Sequence, residues 1–180
     1  MLYGFGFERT CVVASDLYFL DGEQKPGQEG AEHGVRLEVR MLDRGELKGS
    51  VYSAQPISVG LPIWRADLLE TVAGPPGSFD RTHHHPRFDG WEPGGRCFVR
   101  DLSADPLGWV GAKLADLEDL LEEAGIADRA AIAEADGDQL RLAVPDIVDV
   151  VGRLLERVRA GELAQPPGPA PLVRARTGWL

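Results

Sequence analysis

The sequence predicts an α+β fold, in which an antiparallel sheet from roughly the first 100 residues is packed against C-terminal helices. Apolar and charged residues alternate from Val35 to Met41, as is typical of a strand with one buried and one wet face. From Asp105 onward, apolar residues recur instead at helical spacing. This change of period divides the chain into a β part and an α part.

Several further strands are expected beside the one at residues 35–41. Pro56 and Pro62 would interrupt a helix, which favours a strand over residues 57–72. Residues 21–34 are rich in Gly, Glu and Gln and predict an exposed loop. The remaining predicted strands are 10–14, 17–20, a return strand at 47–54, and a final pair at 79–85 and 96–102 joined by the turn-rich 86–95.

Two helices are expected in the C-terminal part. The first begins at Asp105-Pro106, a capping residue followed by proline, and Gly125 ends it. The second follows Pro145 and ends at Gly161. Between them, Asp136-Gly137 predicts either a hairpin turn or a loop after a short helix.

The composition indicates one globular domain over residues 1–164 and a proline-rich tail over 165–180. A chain of 180 residues with 43% apolar content can build a core without disulfides, and Cys11 and Cys97 form no close pair. The net charge of −10 argues against general binding to nucleic acids or anionic membranes. Arginine supplies 16 of the 19 basic residues and asparagine is absent, which indicates a high-GC genome more than arginine-specific recognition.

The N-terminus lacks the basic start and long apolar core of a secretory signal. No apolar run approaches the ~20 residues that cross a bilayer. We therefore expect a cytoplasmic protein with free thiols and no membrane association.

Consecutive histidines, His83 to His85, are the strongest candidate for chemistry. On a strand, His83 and His85 share one face and His84 points to the other. Two imidazoles at this spacing can chelate one divalent metal, zinc or iron, if further donors complete the site. The donors expected from the sequence are Asp80, Asp89, Glu92 and His33.

Other functions are compatible with the same residues. Without a metal, His84 could serve as general acid or base while Arg81 and Arg96 hold an anionic substrate, as in a phosphoesterase or nuclease. A non-catalytic protein could instead bind a partner through its acidic surface or its Pro/Trp tail, its histidines being satisfied by backbone carbonyls. The leading hypothesis is a histidine-centred metal site that binds a small molecule in hydrolysis or oxygen chemistry, with substrate, reaction and oligomeric state left open.

Overall fold

The computed structural model describes residues 1–22, 26, 29–46, 49 and 55–168. Within them one antiparallel sheet runs in chain order, each strand pairing with the next, and the helices follow. The strands are β1 (Leu2–Gly6), β2 (Thr10–Phe19), β3 (Glu32–Arg44), β4 (Ile57–Thr71) and β5 (His83–His85), and a small hairpin follows with β6 (Phe88–Asp89) and β7 (Glu92–Pro93). The helices are α1 (Arg100–Ala104), α2 (Pro106–Ala115), α3 (Leu117–Glu123) and α4 (Arg129–Arg159). The predicted α+β fold is confirmed.

Strand alternation gives the sheet an apolar face, which the helices cover. Val12, Leu37 and Trp64 belong to this face and are fully buried. α4 packs directly on β2 and β3. The helices contribute the rest of the core, including Leu114, Leu121, Ile132, Leu140, Ile147 and Leu154.

The opposite face of the sheet carries charged side chains on its central strands. Cross-strand neighbours here include Glu38 with Arg65 and Arg36 with Asp67. The helices therefore leave a polar sheet face uncovered, and this face holds the candidate site.

A buried carboxylate connects α4 to the β1–β2 turn. Asp136 is fully buried and accepts hydrogen bonds from the backbone N–H groups of Glu8, Arg9 and Thr10 and from the Thr10 hydroxyl, at 2.7–3.2 Å. Glu8 and Arg9 lie between β1 and β2, and Thr10 is the first residue of β2, so the carboxylate caps the start of this strand. One side chain in the middle of a helix thus satisfies the turn and fixes the helix to the sheet.

The helices differ from the prediction in two ways. The first predicted helix divides at Asp116, whose side chain caps α3 by accepting from the Asp119 N–H at 3.2 Å. Neither alternative at Asp136-Gly137 is correct, because α4 continues through both residues and also through Pro145. Proline costs a helix interior about 3 kcal/mol, but Leu140 and Ile147 pack into the core on either side of it.

The strand predictions are largely confirmed, with some boundaries corrected. β2 is one strand instead of two, because Asp16 in its middle is satisfied by the Ala164 N–H and the N-terminal amine. The predicted loop at 21–34 is too long, since β3 begins at Glu32. The predicted strand at 96–102 is reduced to an isolated bridge between Cys97 and His84, after which α1 begins. Most of the predicted strand at 47–54, and tail residues 169–180, lie outside the described residues.

Candidate metal centre

The register of three neighbouring strands assembles the site. Asp67 on β4 lies opposite Arg36 on β3 and opposite His83 on β5. Arg65, two residues earlier on β4, lies opposite His85. Because residues two apart on a strand share a face, all five side chains belong to the polar face of the sheet.

The three histidines divide between the two faces as predicted from strand alternation. His83 and His85 lie side by side on the polar face, with ring centroids 5.0 Å apart. His84 points into the core, where its ring lies 5.1 Å from that of Trp109 and 6.2 Å from that of Trp64. His83 and His85, and not His84, are therefore placed to bind one ligand together.

Asp67, His83 and His85 form a compact group of potential metal ligands. One ligand atom from each lies within 4.8 Å of the others. The Asp67 Oδ2 atom is 3.5 Å from His83 Nε2 and 3.7 Å from His85 Nε2. All three residues are buried, and across the described part of the chain no other set of His, Cys, Asp or Glu ligands comes together in this way.

The Nδ1 atoms of His83 and His85 are each hydrogen-bonded to a backbone carbonyl. His83 Nδ1 donates to the Arg81 carbonyl and His85 Nδ1 to the Gly94 carbonyl, both at 2.7 Å. Each neutral ring then carries its proton on Nδ1, which leaves the Nε2 lone pair on the Asp67 side. Carbonyl partners of this kind commonly orient histidines that bind metals.

Two arginines surround the Asp67 carboxylate. Arg36 donates to both of its oxygens, with Nε at 2.8 Å from Oδ1 and Nη2 at 3.3 Å from Oδ2. The Arg65 Nε atom lies 3.1 Å from Oδ2, and Arg65 Nη2 donates to His85 Nε2 at 3.0 Å. The Arg65 guanidinium therefore contacts two of the three potential metal ligands.

The protonation states of this group suit metal binding. Burial lowers the pKa of His83 from 6.5 to about 4, despite the nearby charge of Asp67. Burial also lowers the pKa of His85, and the positive charge of Arg65 adds to the effect. For Asp67, burial alone would raise the pKa, but the hydrogen bond and charge of Arg36 and the charge of Arg65 bring it below its ordinary value. At neutral pH the rings are neutral and the carboxylate is ionised, as metal coordination requires.

The group lies in the wall of a cavity of about 260 Å³. Arg96 enters the cavity from the segment after β7, stacks over the Phe19 ring at 5.7 Å and contacts Glu32 Oε1 at 3.4 Å. The full lining is Leu17, Phe19, Arg36, Arg65, Asp67, Leu69, His83, His85, Pro93 and Arg96. A site with metal ligands, guanidinium groups and an apolar wall can bind and polarise a small anionic molecule.

The other metal donors predicted from the sequence are not in this group. Asp80 accepts from the Thr71 N–H at 2.9 Å and from the Ser78 hydroxyl at 2.8 Å, so it closes the turn before β5. Asp89 and Glu92 are exposed and pair across the β6–β7 hairpin. His33 lies opposite Tyr18 and Glu70, on the sheet face turned toward the helices.

The residues proposed for metal-free catalysis are scattered. His84 is on the apolar face of the sheet, against Trp64 and Trp109. Arg81 donates to the Thr71 hydroxyl and to the Glu29 carbonyl, at 2.9 and 3.2 Å. Arg96 alone of the three lines the cavity.

Asp67 is the functional candidate that the sequence reasoning missed. Its signal was the alternation in Trp64-Arg65-Ala66-Asp67-Leu68, which places Arg65 and Asp67 together on the polar face of a strand. The local pattern does not predict that β4 pairs with β5. This pairing is what brings Asp67 to histidines in another part of the chain.

No family model, curated protein or solved structure matches the chain. No helix in the described ranges has the length and apolar character needed to span a bilayer. The geometry of the site is therefore the basis on which a function can be proposed.

Proposed function

We propose that this protein is a metal-dependent hydrolase whose ion, zinc in the first instance, is held by Asp67, His83 and His85. The observation that supports this most directly is the orientation of the two rings. Both Nδ1 atoms are engaged by backbone carbonyls, and both Nε2 atoms lie within 3.7 Å of one Asp67 oxygen. A histidine pair that served only as packing would not need two lone pairs directed at one carboxylate.

The distances between the donors fit a metal ion. Zinc bonds to nitrogen and oxygen are about 2.0–2.2 Å, so donors at tetrahedral corners lie roughly 3.3–3.6 Å apart. The separations from Asp67 Oδ2 to the two Nε2 atoms are 3.5 and 3.7 Å. Only small side-chain movements would bring these three donors to coordination distance.

Three protein ligands correspond to a catalytic site more than to a structural one. Structural zinc sites are usually closed by four protein ligands, whereas catalytic sites keep a position for water or substrate. Zinc bound in this way would supply a water molecule that is easier to deprotonate near neutral pH. The cavity beside Asp67 gives that position access to a ligand.

Arg65 must move before a metal can bind. Its Nη2 group donates to His85 Nε2, whose lone pair a metal would use. The guanidinium also lies over the Phe88 ring at 5.6 Å, and Glu38 is its cross-strand neighbour on β3. These groups offer the displaced cation an aromatic face and a carboxylate.

The proposal is tested by metal analysis of the untagged protein and by titration of zinc and ferrous iron into metal-stripped samples. We expect about one zinc ion per wild-type chain, and binding about 100-fold weaker or absent in Asp67→Asn and in His83→Ala/His85→Ala. His33→Ala is the matched control, since it removes a histidine from the same sheet outside the site and should keep wild-type affinity.

Circular dichroism and thermal unfolding of each variant establish that the fold is retained before affinities are compared. Absence of zinc and iron binding in the wild type, or unchanged binding in the double variant, would overturn the proposal. A site that takes up ferrous iron and not zinc would point to oxygen chemistry, because two histidines and one carboxylate also form the ligand set of non-haem iron oxygenases.

A further inference from the structure

We infer that the substrate of this site is a small phosphate monoester, with its phosphoryl group held by Arg36 and Arg96 beside the metal ligands. This inference rests on the proposed function and names the substrate class for it. Its basis is that one cavity contains three guanidinium groups, the third being Arg65, together with the Asp67–His83–His85 group.

The charge of the cavity favours a dianion. Arg36, Arg65 and Arg96 bring three positive charges, against the carboxylates of Asp67 and Glu32 that they contact. Among the residues that line the cavity, three are arginines and one, Asp67, is a carboxylate, and a bound dication would add two more positive charges. The whole chain carries a charge of −10, so this positive cavity is a local exception in an acidic protein.

Arg36 retains hydrogen-bond donors for a ligand. A guanidinium has five N–H groups, and Arg36 uses one on Nε and one on Nη2 for Asp67. Within the described residues its other three N–H groups make no hydrogen bond, and the side chain lines the cavity. The contact of Arg96 with Glu32 is long, at 3.4 Å, so a phosphate oxygen could replace it with a shorter and stronger bond.

The size and walls of the cavity favour a small organic phosphate. A volume of about 260 Å³ is below the ~300–1,000 Å³ usual for drug-sized ligands. Next to the arginines, Leu17, Phe19, Leu69 and Pro93 form an apolar wall. This wall suits a short carbon skeleton attached to the phosphoryl group, whereas a polynucleotide would extend far beyond the cavity.

The reaction needs only the substrate and water. The water oxygen attacks phosphorus, and the bond between phosphorus and the ester oxygen breaks. One water proton goes to the leaving oxygen, so the products are inorganic phosphate and an alcohol. Arg36 and Arg96 would offset negative charge on the phosphoryl oxygens, which is the main contribution that proteins make to phosphoryl transfer.

The test is a calorimetric titration of inorganic phosphate into zinc-loaded protein freed of excess zinc, with hydrolysis of p-nitrophenyl phosphate as a second readout. We expect binding in the wild type and at least tenfold weaker binding in Arg96→Gln, with an unchanged zinc content. Arg141→Gln is the matched control because Arg141 is an exposed arginine on α4, paired with Asp138, and it should behave as wild type.

Two results separate this inference from the proposed function. Zinc-loaded wild type that binds no phosphate, or Arg96→Gln with wild-type phosphate affinity, would overturn the phosphate site and leave the metal site intact. If the wild type takes up no metal, the same phosphate titration is made on the metal-free protein. Binding that is lost in Arg96→Gln would then support the anion site alone, and its absence would overturn both.

Discussion

Arg65 takes the position that a metal ion would need in the candidate centre. Its guanidinium lies 3.0 Å from His85 Nε2 and 3.1 Å from Asp67 Oδ2. It thereby supplies a positive charge to a buried carboxylate and a hydrogen-bond donor to a buried ring, both of which are costly to leave alone. A metal supplies the same two things, so the arginine and the ion compete for the same partners.

We predict that Arg65→Gln tightens zinc binding by about tenfold, which corresponds to about 1.4 kcal/mol. The substitution removes the competing cation, while Arg36 still holds Asp67 through two hydrogen bonds. Isothermal titration of zinc into metal-stripped protein measures the change. Arg40→Gln is the control, because Arg40 lies on the same sheet face but pairs with Glu38. Weaker zinc binding in Arg65→Gln would mean that Arg65 supports the site instead of competing with the ion.

Among the secondary-structure elements, α4 is held in place by a long-range contact that the sequence of the helix does not predict. Asp136 sits in the middle of the helix, fully buried, and its carboxylate receives the N–H groups of the β1–β2 turn. Without the carboxylate, the N–H and hydroxyl groups of the fully buried Thr10 would lose this partner, as would the N–H groups of Glu8 and Arg9. The contact joins residues more than 120 positions apart and holds the helix layer on the sheet.

We predict that Asp136→Ala lowers the free energy of unfolding by about 2–4 kcal/mol, because hydrogen bonds to a charged group are lost and buried donors are left unpaired. Urea unfolding followed by circular dichroism measures this loss. Asp138→Ala is the control on the same helix, since Asp138 is exposed and pairs with the exposed Arg141, and it should cost less than about 0.5 kcal/mol. Equal losses in the two variants would show that the Asp136 contacts are not what fixes α4.

The same contrast between local and distant contacts explains what could be predicted from the sequence. The placement of His83 and His85 on one face follows from strand alternation within three residues, and the Asp105 cap follows from a local pattern. Asp136 was interpreted as a turn residue because its partners lie in another part of the chain. Asp67 could not be predicted as a metal ligand for the same reason, since the pairing of β4 with β5 is what brings it to the histidines.

At the scale of the whole molecule, the buried histidines link stability to pH. The pKa of His83 is lowered by burial to about 4, whereas the unfolded chain has an ordinary value of 6.5, so between these values the unfolded state binds more protons. The stabilising contribution of His83 is fully present above pH 6.5 and is lost as the pH falls toward 4. Burial lowers the pKa values of His84 and His85 as well, so they act in the same direction. Glu32 acts in the opposite direction, because burial raises the pKa of its carboxyl group.

We predict that the metal-free protein loses about 3 kcal/mol of unfolding free energy through His83 alone between pH 7 and pH 4. Urea unfolding in the presence of a chelator, repeated across this range, measures the dependence without any contribution from a bound ion. His83→Gln should flatten the curve, because glutamine does not titrate, whereas Asp138→Ala, which changes an exposed side chain on α4, should leave the slope as it is in the wild type. An unchanged slope in His83→Gln would contradict the assignment and leave the other two buried histidines, His84 and His85, as the source of the pH dependence. A bound metal would steepen the loss at low pH, since protons and the ion compete for the same Nε2 atoms.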